Sequence, residues 1–198
     1  MQGEPQKIVS SKKENNVVYA VSNRSIYIIS DGKVSKEIKG LNFEARSLEI
    51  NEENNEIYVG AADGYIYTYD LSLNFLSKYK FHLGEVSIIR LSHNGKLVAS
   101  GDNMKYIYVW NSATKEIECD RFAFHSSKVF DLSWSSDDSF LVSASLDKSV
   151  ILWNLSTKFK KNVYSELDIE VVKASKFIND GEFVCGGHSC AVTRVLIQ

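Results

Sequence analysis

A repeat of about 40 residues is the feature of this sequence that most restricts its fold. Five strand-length runs recur: SIYIIS (25–30), YIYTYD (65–70), YIYVWN (106–111), SVILWN (149–154) and AVTRVL (191–196). Their fifth residues, Ile29, Tyr69, Trp110, Trp153 and Val195, are spaced 40, 41, 43 and 42 residues apart. The runs are rich in β-branched and aromatic residues, which favour strands. No long stretch has the 3.6-residue apolar period of a helix, so the sequence predicts an all-β chain.

Turn residues follow the same period. The pairs are Asn15-Asn16, Asn54-Asn55, Asn94-Gly95, Asp137-Asp138 and Asp180-Gly181. Asn, Asp and Gly tolerate the positive φ of tight hairpins, so each repeat is predicted to contain strands a, b and c and a more polar strand d. This length with four strands per repeat is typical of the blades of a WD-repeat β-propeller.

The period divides the chain into five predicted blades. Their approximate bounds are 7–40, 41–82, 83–125, 126–168 and 169–198, and the last ends after strand c. We interpret residues 1–6 as a cloning remnant or a disordered tail, because Met1-Gln2-Gly3 resembles the scar of a cleavage site.

The fourth repeat contains the strongest local pattern. His125, Ser143, Asp147 and Trp153 fall at positions that resemble the hydrogen-bonded tetrad of WD repeats. The resemblance implies that Asp holds His, that His bonds Ser, and that Ser accepts the indole N–H of Trp. The donor and acceptor types fit such a buried network. A catalytic triad of Ser143, His125 and Asp147 is disfavoured, because no G-x-S-x-G elbow is present and Ser143 is predicted in mid-strand between blades.

Two other repeats keep parts of this pattern. The partial tetrads are His82, Ser100 and Trp110 in the third repeat, and Asp63 and Tyr69 in the second. Met104 occupies the Asp position of the third repeat, and the sequence leaves open whether the nearby Asp102 substitutes for it. In divergent propellers, apolar packing between blades is expected to supply most of the stability.

Charge and composition argue against several classes of ligand. The chain has 23 Lys and Arg against 25 Asp and Glu, so it lacks the basic excess of nucleic-acid-binding proteins. Its apolar runs are far shorter than the roughly 20 residues that cross a membrane. Cys185, His188 and Cys190 form a C-x2-H-x-C pattern, but Cys185 aligns with Ser143 on strand b and is interpreted as a small buried residue. We therefore predict no metal, no cofactor and no small-molecule substrate.

Longer phrases resemble one family of WD-repeat proteins, the actin-interacting protein 1 family. Residues 122–158 (FAFHSSKVFDLSWSSDDSFLVSASLDKSVILWNLSTK) resemble its penultimate blade, which typically carries F-H-x-x-K-V-x-x-x-S-W-S-x-D and then S-L-D-x-S-V-I-x-W-N. Residues 54–71 and 84–110 also fit its pattern. The resemblance implies two seven-bladed propellers, of which this chain covers the C-terminal part of the second. It also implies a cytoplasmic, cytoskeleton-associated protein that promotes actin filament disassembly with cofilin.

The sequence therefore predicts a non-enzymatic, protein-binding scaffold, with actin and cofilin as the implied partners. The alternative is a generic WD-repeat subunit of another assembly, such as a ubiquitin ligase or a ribosome-assembly complex, because fold alone does not decide between them. Propellers usually bind partners at the face that carries the d–a and b–c loops. The candidate contact residues on that face are Arg24, Asn103, Lys105, Leu146 and Lys148.

Overall fold

The computed structural model of the chain describes residues 5–122, 124–155, 160–164, 171–188 and 192–197. Within these ranges the regular secondary structure consists of β-strands alone. The strands form four four-stranded sheets and one three-stranded sheet. Consecutive strands pair antiparallel within the sheets. This confirms the prediction of an all-β chain with five blade-like repeats. Among the described residues, no helix is present that could span a bilayer.

Residues 1–89 form the first of two compact units, called here the N-terminal unit. Its first sheet consists of β1 (Pro5–Ser10), β2 (Val17–Ser22), β3 (Ser25–Ser30) and β4 (Lys33–Lys39). Its second sheet consists of β5 (Ala45–Asn51), β6 (Glu56–Ala61), β7 (Tyr65–Tyr69) and β8 (Phe75–Lys80). In both sheets the strands lie in chain order, which is the meander of a propeller blade.

Residues 90–198 form the second compact unit, called here the C-terminal unit. The third sheet consists of β9 (Val86–Leu91), in which the boundary between the units falls, β10 (Leu97–Asp102), β11 (Ile107–Asn111) and β12 (Ile117–Phe122). The fourth sheet consists of β13 (Val129–Trp134), β14 (Phe140–Ser145), β15 (Val150–Asn154) and β16 (Lys160–Tyr164). The fifth consists of β17 (Val172–Asn179), β18 (Glu182–Gly187) and β19 (Val192–Leu196).

The apolar middle strands of neighbouring sheets pack against each other within each unit. In the N-terminal unit, Val21 and Ile26 of the first sheet share a core cluster with Leu48 and Val59 of the second. In the C-terminal unit, a second cluster joins the fourth and fifth sheets and is formed by Val142, Ala144, Val150, Leu152, Val172, Phe177, Phe183, Cys185 and Val195. The outer strand β4 is exposed at nearly every position. Burial on both faces explains why strands b and c read as continuous apolar runs.

The predicted a–b turns contain residues with left-handed backbone. Asn16, Asn55, Gly95 and Asp138 have φ between 55° and 71°. These residue types carry a small steric penalty in this region, or none for glycine, so they close each hairpin where the sequence places them.

The start of the first strand differs from the prediction. Residues 1–6 were predicted to be a remnant or a tail, but β1 begins at Pro5 and includes Gln6. Proline is tolerated here because it is the first residue of an edge strand, where its missing N–H does not interrupt the ladder. Residues 1–4 lie outside the described residues.

Candidate functional site

The structure brings the four tetrad residues of the fourth sheet together. His125 precedes β13, Asp147 lies in the β14–β15 turn, Ser143 is on β14 and Trp153 is on β15. His125 Nδ1 lies 3.0 Å from Asp147 Oδ2, and His125 Nε2 lies 2.8 Å from Ser143 Oγ. The indole Nε1 of Trp153 donates to Ser143 Oγ at 2.9 Å. A carboxylate only accepts, so Nδ1 of His125 donates and its Nε2 is left to accept from Ser143.

Burial determines what this tetrad can do. Ser143 is fully buried and His125 is 2% exposed, so the serine hydroxyl is closed to a substrate. Burial alone raises the pKa of Asp147. Hydrogen bonds from His125, Ser149 and the Ser126 N–H outweigh that effect and lower the pKa well below its usual range. The carboxylate is therefore ionised near neutral pH, and it joins the loop before β13 to the β14–β15 turn.

Two serines, Ser126 and Ser149, extend the hydrogen-bond network of the tetrad, although sequence analysis did not single them out. Ser149 Oγ donates to Asp147 Oδ1 at 2.6 Å and lies 3.0 Å from His125 Nδ1. The Ser126 N–H donates to Asp147 Oδ2 at 2.7 Å, and the Ser149 N–H donates to Oδ1 at 3.0 Å. The local signal was the Asp-x-Ser spacing of residues 147–149, since an aspartate commonly accepts a bond from the backbone two residues later.

In the third sheet, two features of this arrangement are described: a Trp–Ser bond and an aspartate that caps the b–c turn. Trp110 Nε1 donates to Ser100 Oγ at 3.3 Å, and both residues are fully buried. Asp102, also fully buried, accepts the N–H groups of Met104 at 2.9 Å and Tyr106 at 2.8 Å. Asp102 therefore caps the β10–β11 turn, as Asp147 caps the β14–β15 turn, while Met104 in the usual aspartate position is half-exposed.

In the second sheet, Asp63 is bonded by Tyr67, a residue that the sequence analysis did not single out. The Tyr67 hydroxyl donates to Asp63 Oδ2 at 2.9 Å. Tyr69 is buried and packs edge-on against Phe75, with ring centroids 5.7 Å apart. Burial and the bond to Asp63 both raise the pKa of Tyr67. His82, the remaining residue of the predicted partial tetrads, lies fully buried near the end of the N-terminal unit.

Cys185 occupies the position on β18 that Ser143 occupies on β14. It is 2% exposed, and burial raises the pKa of its thiol to about 11. His188 is exposed, and Cys190 lies outside the described residues. No group of three or more His, Cys, Asp or Glu suited to a metal ion occurs among the residues that the structure describes.

A polar groove lies along the first strands of the third, fourth and fifth sheets. Sequence analysis did not predict this groove. Asp131 on β13 accepts from Arg90 Nη2 on β9 at 2.6 Å and from the Ser175 N–H on β17 at 3.1 Å. Trp134 Nε1 donates to the carbonyl oxygen of Arg90 at 3.1 Å. The groove has a volume of about 350 Å³. The only local signal was a polar residue in successive a strands.

The predicted contact residues lie in turns between strands b and c. Asn103 and Lys105 are in the β10–β11 turn, and Leu146 and Lys148 are in the β14–β15 turn of the same unit. Arg24 is in the β2–β3 turn of the N-terminal unit, where it lines a pocket of about 290 Å³. Four of the five are exposed, and Lys105 is partly exposed.

Comparisons with known proteins agree with this architecture. Residues 118–154 match the family model described as WD domain, G-beta repeat. The crystal structure of the computationally designed Ika8 protein superposes with a TM-score of 0.79 over 96% of this chain and 58% of that one. Their sequences are 21% identical, so this similarity is evidence for the fold only.

Several curated proteins are similar to this chain. The chain is 25% identical to the 66 kDa stress protein of Physarum polycephalum, over 100% of this chain and 33% of the relative. It is 27% identical to Actin-interacting protein 1-2 of Arabidopsis thaliana, over 66% of this chain and 22% of the relative. The chain thus spans only a fifth to a third of the length of these relatives. With its five antiparallel sheets and the WD-domain match, this chain has the fold of WD-repeat β-propeller blades and resembles actin-interacting protein 1.

Proposed function

We propose that this chain is a non-enzymatic, protein-binding scaffold that acts on actin filaments in the cytoplasm together with cofilin. The similarity to a plant protein named Actin-interacting protein 1-2, which covers two thirds of this chain, carries the actin part of the proposal. The cofilin part follows from the family resemblance of residues 54–71, 84–110 and 122–158.

The geometry of the tetrad supports binding rather than catalysis. All polar groups of His125, Ser143 and Trp153 point into a buried network, and Asp147 uses its oxygens to hold two loops. The exposed residues of those loops are thereby fixed on a rigid framework. Pre-ordered contact residues lower the entropic cost of binding a partner.

In this proposal the b–c turns make the contacts with the partner protein. Leu146 and Lys148 flank Asp147, and Asn103 and Lys105 occupy the matching turn of the preceding sheet. Arg24 is the corresponding residue in the first sheet. A mixture of exposed apolar, amide and basic side chains is common in protein interfaces.

Co-sedimentation with actin filaments tests this function. The chain should pellet with filaments, and more strongly when the filaments carry cofilin. The double variant Lys105→Glu/Lys148→Glu should pellet less, while Lys96→Glu/Lys115→Glu, in the turns at the opposite end of the same unit, should behave like the wild type. A folded wild-type chain that stays in the supernatant with bare and with cofilin-bound filaments would contradict the proposal.

A further inference from the structure

Three large apolar side chains are exposed at one end of the C-terminal unit. Met104 is 50% exposed, Phe124 is 58% exposed and Leu146 is 42% exposed. In antiparallel sheets with this strand order, the b–c turns and the d–a loops emerge at the same end. Phe124 and Leu146 directly precede His125 and Asp147, whose side chains are joined at 3.0 Å. The Leu146 N–H also donates to the Lys128 carbonyl oxygen at 2.9 Å, so the two loops lie side by side.

The exposed charges in these loops are of one sign. Lys105 and Lys128 are partly exposed and Lys148 is exposed. The carboxylates in the same loops, Asp102 and Asp147, are occupied by backbone N–H groups and tetrad bonds. Within residues 102–106, 124–129 and 145–149, the exposed charge is therefore positive.

Two of these lysines occupy backbone positions that disfavour a side chain. Lys105 has φ of 84° and Lys148 has φ of 70°, whereas the second sheet has Gly64 with φ of 80° in the equivalent turn. A lysine in the left-handed region is strained relative to glycine. Glycine would be the more stable choice at both positions, so both charges can be removed without a cost in backbone strain.

From these observations we infer that the loop surface, formed by Met104, Lys105, Phe124, Lys128, Leu146 and Lys148, binds an acidic, amphipathic segment of a partner protein. The inference rests on the protein-binding part of the proposed function and names the chemistry of the partner. Apolar residues of the segment cover the three exposed apolar side chains, and its carboxylates lie against the lysines. Exposed apolar residues rimmed by charge are typical of docking sites, and complementary charge selects the partner.

Fluorescence polarisation with designed peptides tests the chemistry. The probe is a short labelled peptide with Leu at every third or fourth position and Glu between. One comparison peptide has Lys in place of Glu, and another has Ser in place of Leu. The full chain should bind the acidic, apolar peptide in preference to both, and added salt should weaken binding because exposed charges are screened.

Glycine substitutions separate binding from folding. Lys105→Gly/Lys148→Gly removes both charges and relieves the strained backbone, so the variant should resist urea at least as well as the wild type. Its affinity for the acidic peptide should fall on the order of fivefold. Leu146→Ser should lower affinity on the order of tenfold. Lys115→Gly is the matched control, because Lys115 also has a positive φ, of 62°, but lies in the turn between β11 and β12 at the opposite end.

The outcomes separate this inference from the proposed function. If the wild-type chain binds cofilin-bound filaments and the double glycine variant binds the acidic peptide as tightly as the wild type, the loop surface is wrong and the proposed function stands. If the peptide preference holds and filament binding is absent, the proposed function fails and the loop surface stands. Equal binding of all three peptides, or binding only to vesicles containing phosphatidylserine, would overturn the inference.

Discussion

Replacing Asp147 with alanine should destabilise the C-terminal unit more than replacing an exposed aspartate. Asp147 accepts four hydrogen bonds: from His125 Nδ1, the Ser126 N–H, the Ser149 N–H and Ser149 Oγ. The Ser126 N–H is exposed, so water can replace its acceptor. His125 Nδ1 keeps Ser149 Oγ at 3.0 Å. The main cost is thus one buried N–H, that of Ser149, and the loss of charge-assisted bonds, about 2–3 kcal/mol in all.

Urea unfolding followed by tryptophan fluorescence measures this cost. Trp110, Trp134 and Trp153, the three tryptophans of the chain, all lie in the C-terminal unit, so the signal follows the unit that contains the substitution. With a typical urea dependence for a small protein, Asp147→Ala should lower the midpoint by about 1 M.

Asp137→Ala is the control, although the structure shows that it is not silent. Asp137 accepts from Ser135 Oγ and Ser139 Oγ, each at 2.6 Å, but it lies in an exposed turn. Its loss should cost about 0.5–1 kcal/mol, since water can take over the exposed bonds. Equal shifts of the urea midpoint for Asp137→Ala and Asp147→Ala would refute the view that the buried tetrad stabilises this unit.

Three further predictions concern single positions. Folding lowers the pKa of Asp147, so its contribution to stability is present above the unfolded pKa and is lost as the pH falls below about 4. Asp147→Asn should therefore reduce the loss of unfolding free energy below that pH, and an unchanged loss would contradict the assignment. Burial raises the pKa of the Cys185 thiol to about 11, so peptide mapping should show slow alkylation by iodoacetamide in the native chain and fast alkylation in urea. Gly64→Ala should cost about 2 kcal/mol or more in a urea titration, since a Cβ there meets the His82 carbonyl oxygen at 2.5 Å, whereas Gly32→Ala, with similar φ and no atom within 4 Å, should cost about 1 kcal/mol.

The repeat and the tetrad could be predicted because both depend on residue type at fixed spacing. Strand c can be located from its alternating aromatic and β-branched residues, and the roles of His125, Ser143, Asp147 and Trp153 follow from their donor and acceptor chemistry. The Asp and Asn turns were found for the same reason, since few residues accept a positive φ.

Contacts between sheets could not be predicted, because they depend on register and on neighbouring strands. Asp138 was predicted as a turn former, but its carboxylate also accepts the N–H groups of His93 at 2.7 Å and Asn94 at 2.8 Å from the preceding sheet. Likewise Asp131 joins β9, β13 and β17, and the polar residues in successive a strands do not reveal which partners it reaches.

Tyr67 shows the same limit within one strand. The alignment of repeats favoured Tyr69 because it falls at the tryptophan position. In that repeat Val59 replaces the serine that the tryptophan N–H would reach, so Tyr69 packs against Phe75 while the Tyr67 hydroxyl reaches Asp63. The bond from Tyr67 to Asp63 has no counterpart in the tetrad, so the alignment of repeats could not predict it.

Hydrogen–deuterium exchange of the full chain, alone and with cofilin-bound actin filaments, tests the central claim most directly. If the chain is a protein-binding scaffold that uses its b–c and d–a loops, residues 102–106, 124–128 and 145–149 should become protected on binding, while the opposite turns at 92–96 and 135–139 should keep their exchange rates. Protection confined to the opposite turns, or no change anywhere in a chain that remains folded, would contradict the account.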